Sequence, residues 1–258
     1  MPTVSWEDRG LVRVVTLANP RKRNALDFES LLELEEACLA AARDRVRCLV
    51  LRGAGEQAFS AGFDIGALPR SGGGGERPDE AVERAMEAVE AVPCPTIAFV
   101  NGAAYGAGAE LAVTCDLRIA ARGASLGMPP ARLGVVYSAA GLRRFLGLLG
   151  PARTRELFFT GRPVKAEEAL SLGLVDRVVP AAEEAALALA EEIARNAPLA
   201  VQGMKRILRL LESAHERGLT GAEREEVAGL RRRAFESADL VEGRAAFLEK
   251  RPPRFTGA

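Results

Sequence analysis

The run Thr96-Ile97-Ala98-Phe99-Val100 has no charged residue, and it gives way at once to Asn101-Gly102-Ala103-Ala104-Tyr105-Gly106-Ala107-Gly108-Ala109-Glu110-Leu111. A buried strand that breaks into small residues and restarts as an apolar helix leaves few choices of fold. The backbone N–H groups at the start of that helix have no acceptor within the helix, and the helix dipole adds partial positive charge there. Such a turn favours negative charge on a ligand. Glu110 falls about one turn inside the same helix, so a carboxylate stands beside the turn.

The same alternation recurs along the chain. Val12 to Leu17 reads as a β-branched strand, Asn19 to Asn24 as a polar break, and Asp27 as the cap of an amphipathic helix running to about Arg43. Cys48 to Leu51 is a short apolar strand. Leu117 to Ala120 and Leu174 to Val179 read as further strands, with a helix near Leu142 to Leu149 between them. Short strands alternating with helices through Gly-rich turns predict α/β architecture, with sites at strand-to-helix turns. From Ala182 to Glu249 the chain is rich in Ala, Glu, Leu and Arg at helical period, which predicts a helical subdomain or an oligomer interface. The expected organisation is a core over residues 1–180 carrying the site, then a helical region over 181–258. Ser71 to Gly75 reads as a flexible loop.

Charge excludes some functions. Lys plus Arg and Asp plus Glu number 35 each, so no global field recruits nucleic acid or an anionic membrane. The first ten residues carry acids and no apolar core of a signal peptide, and no apolar run approaches about 18 residues. A cytoplasmic protein without a membrane partner is expected. The four cysteines, at 38, 48, 94 and 115, lack Cys-x-x-Cys spacing and read as small apolar residues in a reducing compartment.

A second Gly-bearing turn, Ala58-Phe59-Ser60-Ala61-Gly62-Phe63-Asp64-Ile65, follows the Cys48 strand. Either turn alone is ordinary punctuation. Two turns that each aim one N–H at the same oxygen would make an oxyanion hole. Gly102-x-x-x-Gly106-x-Gly108 also fits a dinucleotide turn, but neither Tyr105 nor Tyr137 is followed by Lys four residues on, as the dehydrogenase pair would require.

Arg23-Asn24-Ala25-Leu26, Ala58 to Ile65, Pro95 to Asn101, Gly106 to Asp116, Phe159-Thr160-Gly161, Gly173-Leu174-Val175-Asp176 and Phe247 to Arg251 occur in order over nearly the whole chain. Together they resemble the enoyl-CoA hydratase/isomerase (crotonase) superfamily. The resemblance implies a spiral of repeated ββα units with a C-terminal helical trimerisation region, often assembled as a dimer of trimers. It implies an acyl-CoA thioester as substrate, with coenzyme A entering only as part of that substrate and no separate cofactor or metal. By the same resemblance the N–H groups of Phe63 and Ala107 hold the thioester oxygen. Ala25, Ala61, Asp64 and Ile65 line the coenzyme A path, and Phe247 and Lys250 reach it from the C-terminal helix.

Hydratases of this superfamily use two glutamates, one at the Glu110 position and one about twenty residues later in a Gly-x-Pro-Glu-like segment. Here that segment reads Gly127-Met128-Pro129-Pro130, and no Asp or Glu occurs between Asp116 and Glu156. Activating water and delivering the α proton would both fall to Glu110. Tyr137 in Gly134-Val135-Val136-Tyr137-Ser138 is similar to the matching run in the methylmalonyl-CoA decarboxylase branch, which has a tyrosine there and also lacks the second glutamate. That branch carries histidine where this chain has Phe63. Loss of CO₂ needs no general base, and a phenol can orient the leaving carboxylate. Three outcomes follow: decarboxylation of a short malonyl-type thioester, hydration of a 2-enoyl-CoA by Glu110 alone, or coenzyme A binding without catalysis. Tyr137 is equally readable as core packing. His215, the single histidine, reads as a solvated helix residue. Arg118, Arg122, Arg132, Arg143, Arg144, Arg153 and Arg155 read as a solvated basic face or as attraction for phosphate or carboxylate; an accessory RNA contact lacks the aromatics for stacking.

Overall fold

The computed structural model describes residues 3–64, 66, 77–180, 182–213, 220–249, 251 and 253–258, with some side chains of the later helices excepted. Strands β1 (Val4–Arg9) and β2 (Val12–Leu17) pair antiparallel, and β2 then starts a parallel series with β3 (Cys48–Gly53), β5 (Thr96–Val100), β7 (Leu117–Ala121) and β10 (Arg177–Val179). The order in this sheet is β1-β2-β3-β5-β7-β10. A second sheet is built from very short strands, β4 (Ala58–Ser60), β6 (Ala103–Tyr105), β8 (Ser125–Gly127) and β9 (Val164–Lys165), in that order.

Each repeat runs from a long strand of the first sheet to a short strand of the second and then into a helix. Thus β3 and β4 lead to α2 (Pro78–Ala91), β5 and β6 to α3 (Ala107–Thr114), and β7 and β8 to α4 (Ala139–Thr160). The ββα repeat expected from the resemblance is present in these three units.

Side chains alternate across the first sheet, as strand geometry requires. Leu49, Leu51, Ala98, Val100 and Ala120 face one core with α1 (Phe28–Arg43), α2 and α3. Cys48, Val50, Ile97, Phe99 and Ile119 face the other, which α6 (Ala182–Ala194) covers with Ala186, Ala190 and Ala194. Alanines spaced by four lie on one helical stripe and let α6 approach the sheet closely. Burial on both faces explains why β3 and β5 read as unbroken apolar runs. Helices α7 (Pro198–Ser213), α8 (Gly221–Phe235) and α9 (Ala238–Glu249) complete the chain, with α5 (Ala166–Leu172) bridging β9 and β10.

The predicted helix near Leu142 to Leu149 extends to Ala139–Thr160, broken at Gly150 (φ 70°, ψ 174°) and restarted by Pro151, whose fixed φ suits a first helical position. The strand predicted over Leu174 to Val179 shortens to Arg177–Val179, because Asp176 instead accepts the Arg118 backbone N–H at 2.7 Å. The expected loop Ser71 to Gly75 lies outside the described residues.

Candidate active site

Two asparagines lock the strand ends that carry the site. Asn101 accepts from Gly53 N–H at 3.0 Å and donates to the carbonyls of Gly53 and Gly55, while Asn24 donates to those of Ala54 and Ala58. With both ends of β3 and β4 pinned, the Ser60 to Asp64 turn is held beside residues 22–26. Leu26 N–H donates to Gly62 O at 2.8 Å and Asp64 N–H to Leu26 O at 2.7 Å. In this bridge the N–H of Phe63 itself points the other way. The Phe63 ring packs edge-on against Phe28 with centroids 5.4 Å apart.

The second turn comes against the first. Gly62 has φ +94°, and a Cβ there would lie 2.5 Å from Tyr105 O and 3.3 Å from the Ala107 nitrogen. The Phe63 amide, next along the chain, is therefore a neighbour of the Ala107 amide. Among the described residues neither N–H gives a turn or cap hydrogen bond to a backbone carbonyl. Ala107 is the first residue of α3, where such donors are orphaned by helix geometry.

Glu110, 1% exposed, stands one turn into α3. Its two oxygens are both engaged: Oε2 accepts from the Tyr137 hydroxyl at 2.5 Å, and Oε1 from Arg144 Nη1 at 2.9 Å. Arg144 in turn reaches back to α2, with Nη2 on Glu83 at 3.0 Å and Nε on Glu90 at 2.7 Å. Burial pushes the Glu110 carboxyl up, opposed by the Tyr137 hydrogen bond and the Arg144 charge. Burial and the neighbouring Glu110 push the Tyr137 phenol well above its usual range, so it carries its proton throughout the physiological range. The Tyr137 ring tilts against Phe158 at 5.5 Å, and Phe158 packs edge-on against Phe145 at 5.1 Å. Tyr137 is thus both packed and polar: its ring joins an aromatic stack and its hydroxyl meets the buried acid.

Pro130 begins a single 3-10 turn, Pro130–Leu133, and is buried there. The position of a second glutamate presents no polar group. Ala25 and Ala61 flank the first turn, tied by Ala25 N–H to Lys22 O and Ala61 N–H to Arg23 O. Asp64 pairs with Lys22 at 2.6 Å, and that ammonium holds its carboxyl below the ordinary range. Ile65, Lys250 and His215 lie outside the described residues, as does the side chain of Phe247 on α9.

The basic stretch over residues 117 to 155 is a solvated face at Arg122, Arg132, Arg143, Arg153 and Arg155, which are exposed, but not at Arg118 and Arg144. Arg118 is buried, bonded to Cys115 O and Asp176, and the Arg144 side chain, 7% exposed, lies among three carboxylates. Buried guanidinium groups need partners, and these come from outside the acid-free stretch. Sequence reading missed Glu83 and Glu90 as members of the site. Their seven-residue spacing puts them on one face of α2, a usable signal once an unbalanced arginine is sought.

A family model described as enoyl-CoA hydratase/isomerase matches residues 7–258. Methylmalonyl-CoA decarboxylase of Escherichia coli (strain K12) is 35% identical over 249 residues, covering 95% of each chain. A probable enoyl-CoA hydratase of Mycobacterium tuberculosis is 36% identical over 247 residues, covering 96% of each. The crystal structure of an enoyl-CoA hydratase from Bacillus anthracis superimposes with a TM-score of 0.89 at 36% identity, over 99% of this chain and 100% of that one. With that fold, that coverage and a family model spanning its sheets and helices, the chain belongs to the enoyl-CoA hydratase/isomerase (crotonase) family of acyl-CoA enzymes.

Proposed function

We propose that this enzyme is an acyl-CoA lyase that decarboxylates a short malonyl-type thioester. The observation that carries the reading is the isolation of Glu110: Pro130 fills the second-acid position, and both Glu110 oxygens are already held by Tyr137 and Arg144. Hydration needs a carboxylate free to activate water. Decarboxylation does not. The substrate C–C bond breaks, CO₂ leaves, and the electron pair passes into a thioester enolate whose oxygen is stabilised by the Phe63 and Ala107 N–H groups, each by about 3 kcal/mol. A solvent proton then completes the α-carbon. Tyr137 turns its hydroxyl proton from Glu110 to the departing carboxylate, while Arg144 offsets the charge that Glu110 would set against an anionic substrate. Similarity to the decarboxylase named above supports the same choice; similarity to hydratases keeps hydration by Glu110 as the competing reaction.

The acyl-CoA is taken to lie along Ala25, Ala61, Asp64 and Ile65, with Phe247 and Lys250 closing over it. Met204, Leu208 and Leu211 are all exposed at helical spacing on α7, which fits assembly as a homotrimer or a dimer of trimers in the cytoplasm. Incubating the protein with methylmalonyl-CoA and, separately, crotonyl-CoA decides the reaction. Release of CO₂ from the first is expected; loss of enoyl absorbance from the second alone would replace the reading with hydration, and neither would leave a binding protein.

A further inference from the structure

Arg144 is the least expected member of the site. It sits on α4 in a stretch with no acid between residues 117 and 155, yet its side chain is only 7% exposed and meets three carboxylates from two other helices. Every nitrogen of the guanidinium fork is engaged: Nη1 on Glu110 and on Glu83, Nη2 on Glu83 and Nε on Glu90. A planar fork fixed at three corners has no freedom to turn, which a point-charge ammonium would keep. The charged and titratable groups facing the Glu110 carboxylate are Tyr137 from the segment just before α4, Arg144 from α4 and Glu83 from α2, with Glu90 and Arg84 further along α2 and Arg84 itself on Glu35 at 2.8 Å.

We propose that Arg144 is the positioning residue of this site, holding the Glu110 carboxyl in one orientation as the acceptor that fixes where the Tyr137 phenol stands beside a ligand. Glu83 and Glu90 are its anchors. They are partly exposed, 25% and 32% at the side chain, so solvent screens them, whereas Glu110 depends on the guanidinium for its counter-charge. The Glu110 carboxylate cannot rotate without losing one of its two partners, and that fixes where the phenol oxygen stands. Its bearing on catalysis rests on the decarboxylase reading; its test in the unliganded protein does not.

The test is infrared difference titration of the buried carboxylic acid band, assigned to Glu110 by its absence in Glu110→Gln. In Arg144→Gln the midpoint of Glu110 protonation is expected to rise by about one to three pH units, the usual effect of an opposite charge at this range, and Arg144→Lys is expected to restore part of the shift. Glu83→Gln with Glu90→Gln leaves Arg144 to Glu110 alone, and the midpoint is expected to fall. This second variant also serves if Arg144→Gln does not fold. A midpoint unchanged in folded Arg144→Gln, or unchanged or raised in the double variant, overturns the proposal. If the wild-type protein releases no CO₂ from methylmalonyl-CoA while the band shifts as stated, the functional reading falls and the role of Arg144 stands.

Discussion

At the scale of single residues, the site depends on one missing Cβ. Gly141, in the first turn of α4, would carry a Cβ 2.5 Å from Tyr137 Cε1 and 2.9 Å from Glu110 Oε1. Both neighbours are held, one by the aromatic stack and one by Arg144, so neither can give way cheaply. Gly141→Ala is expected to cost about 1–3 kcal/mol of stability, read by urea denaturation, and to abolish the short Tyr137 to Glu110 contact. Tyr137→Phe keeps the ring and removes only the hydroxyl. It leaves Glu110 with one partner fewer and removes the donor assigned to the departing carboxylate. A hydrogen bond to a charged group contributes about 1.5–3 kcal/mol, so kcat/KM for CO₂ release should fall about 10- to 100-fold with the fold intact. Unchanged turnover would assign Tyr137 to packing alone.

At the scale of elements, what the sequence made legible follows burial. Strands β2, β3, β5 and β7 are buried on one or both faces and stood out as apolar runs, and Asp27 was readable as a cap: its side chain accepts from Ser30 N–H at 2.9 Å, while Ser30 Oγ accepts from the Asp27 N–H. Asp27→Ala should cost about 1 kcal/mol in a denaturation midpoint. Strand β1 escaped because it lies at the sheet edge with only Val4 buried, held by antiparallel pairing to β2 rather than by an apolar face. Strands β4, β6 and β8 have three residues each, too few for a period of two to register, and were hidden inside the turns they support. The Glu110 and Tyr137 pair was legible as two candidates but not as a contact, because 27 residues separate them. The C-terminal tail was not legible at all. Asp239 accepts from Thr256 and Gly257 N–H, and Glu242 from Arg251 and from Arg254 N–H. These contacts lower the Glu242 carboxyl from 4.5 to about 2. A depressed carboxyl contributes fully above its unfolded value and loses that contribution as pH falls through the folded one. The Arg254 amide should therefore lose hydrogen-exchange protection as the solution is acidified from about 4.5 to about 2, and Glu242→Gln should release it at neutral pH.

At the scale of the whole molecule, the two cores share one sheet, and both rows of its side chains must stay dry for the turns above it to keep their spacing. The cysteines report on this. Cys38, Cys94 and Cys115 belong to the core under α1 to α3, and Cys48 to the core under α6; all four are free and buried. Burial pushes the thiols of Cys38 and Cys115 up to about 12, that of Cys94 to about 11, and that of Cys48 higher still, although the buried Lys205 ammonium, which reaches Cys94 O at 2.8 Å, pulls the other way. Only a thiolate attacks a disulfide reagent, so at pH about 8 none of the four should react while the sheet is closed. All four should then react together on unfolding, at a rate that follows global opening rather than reagent concentration, because α6, α1 and α2 cannot leave one at a time without exposing a face of the shared sheet. A substoichiometric fast phase in the native protein would instead mean that one face of the sheet opens alone, and the position of the modified cysteine, 48 against 38, 94 or 115, would identify which face.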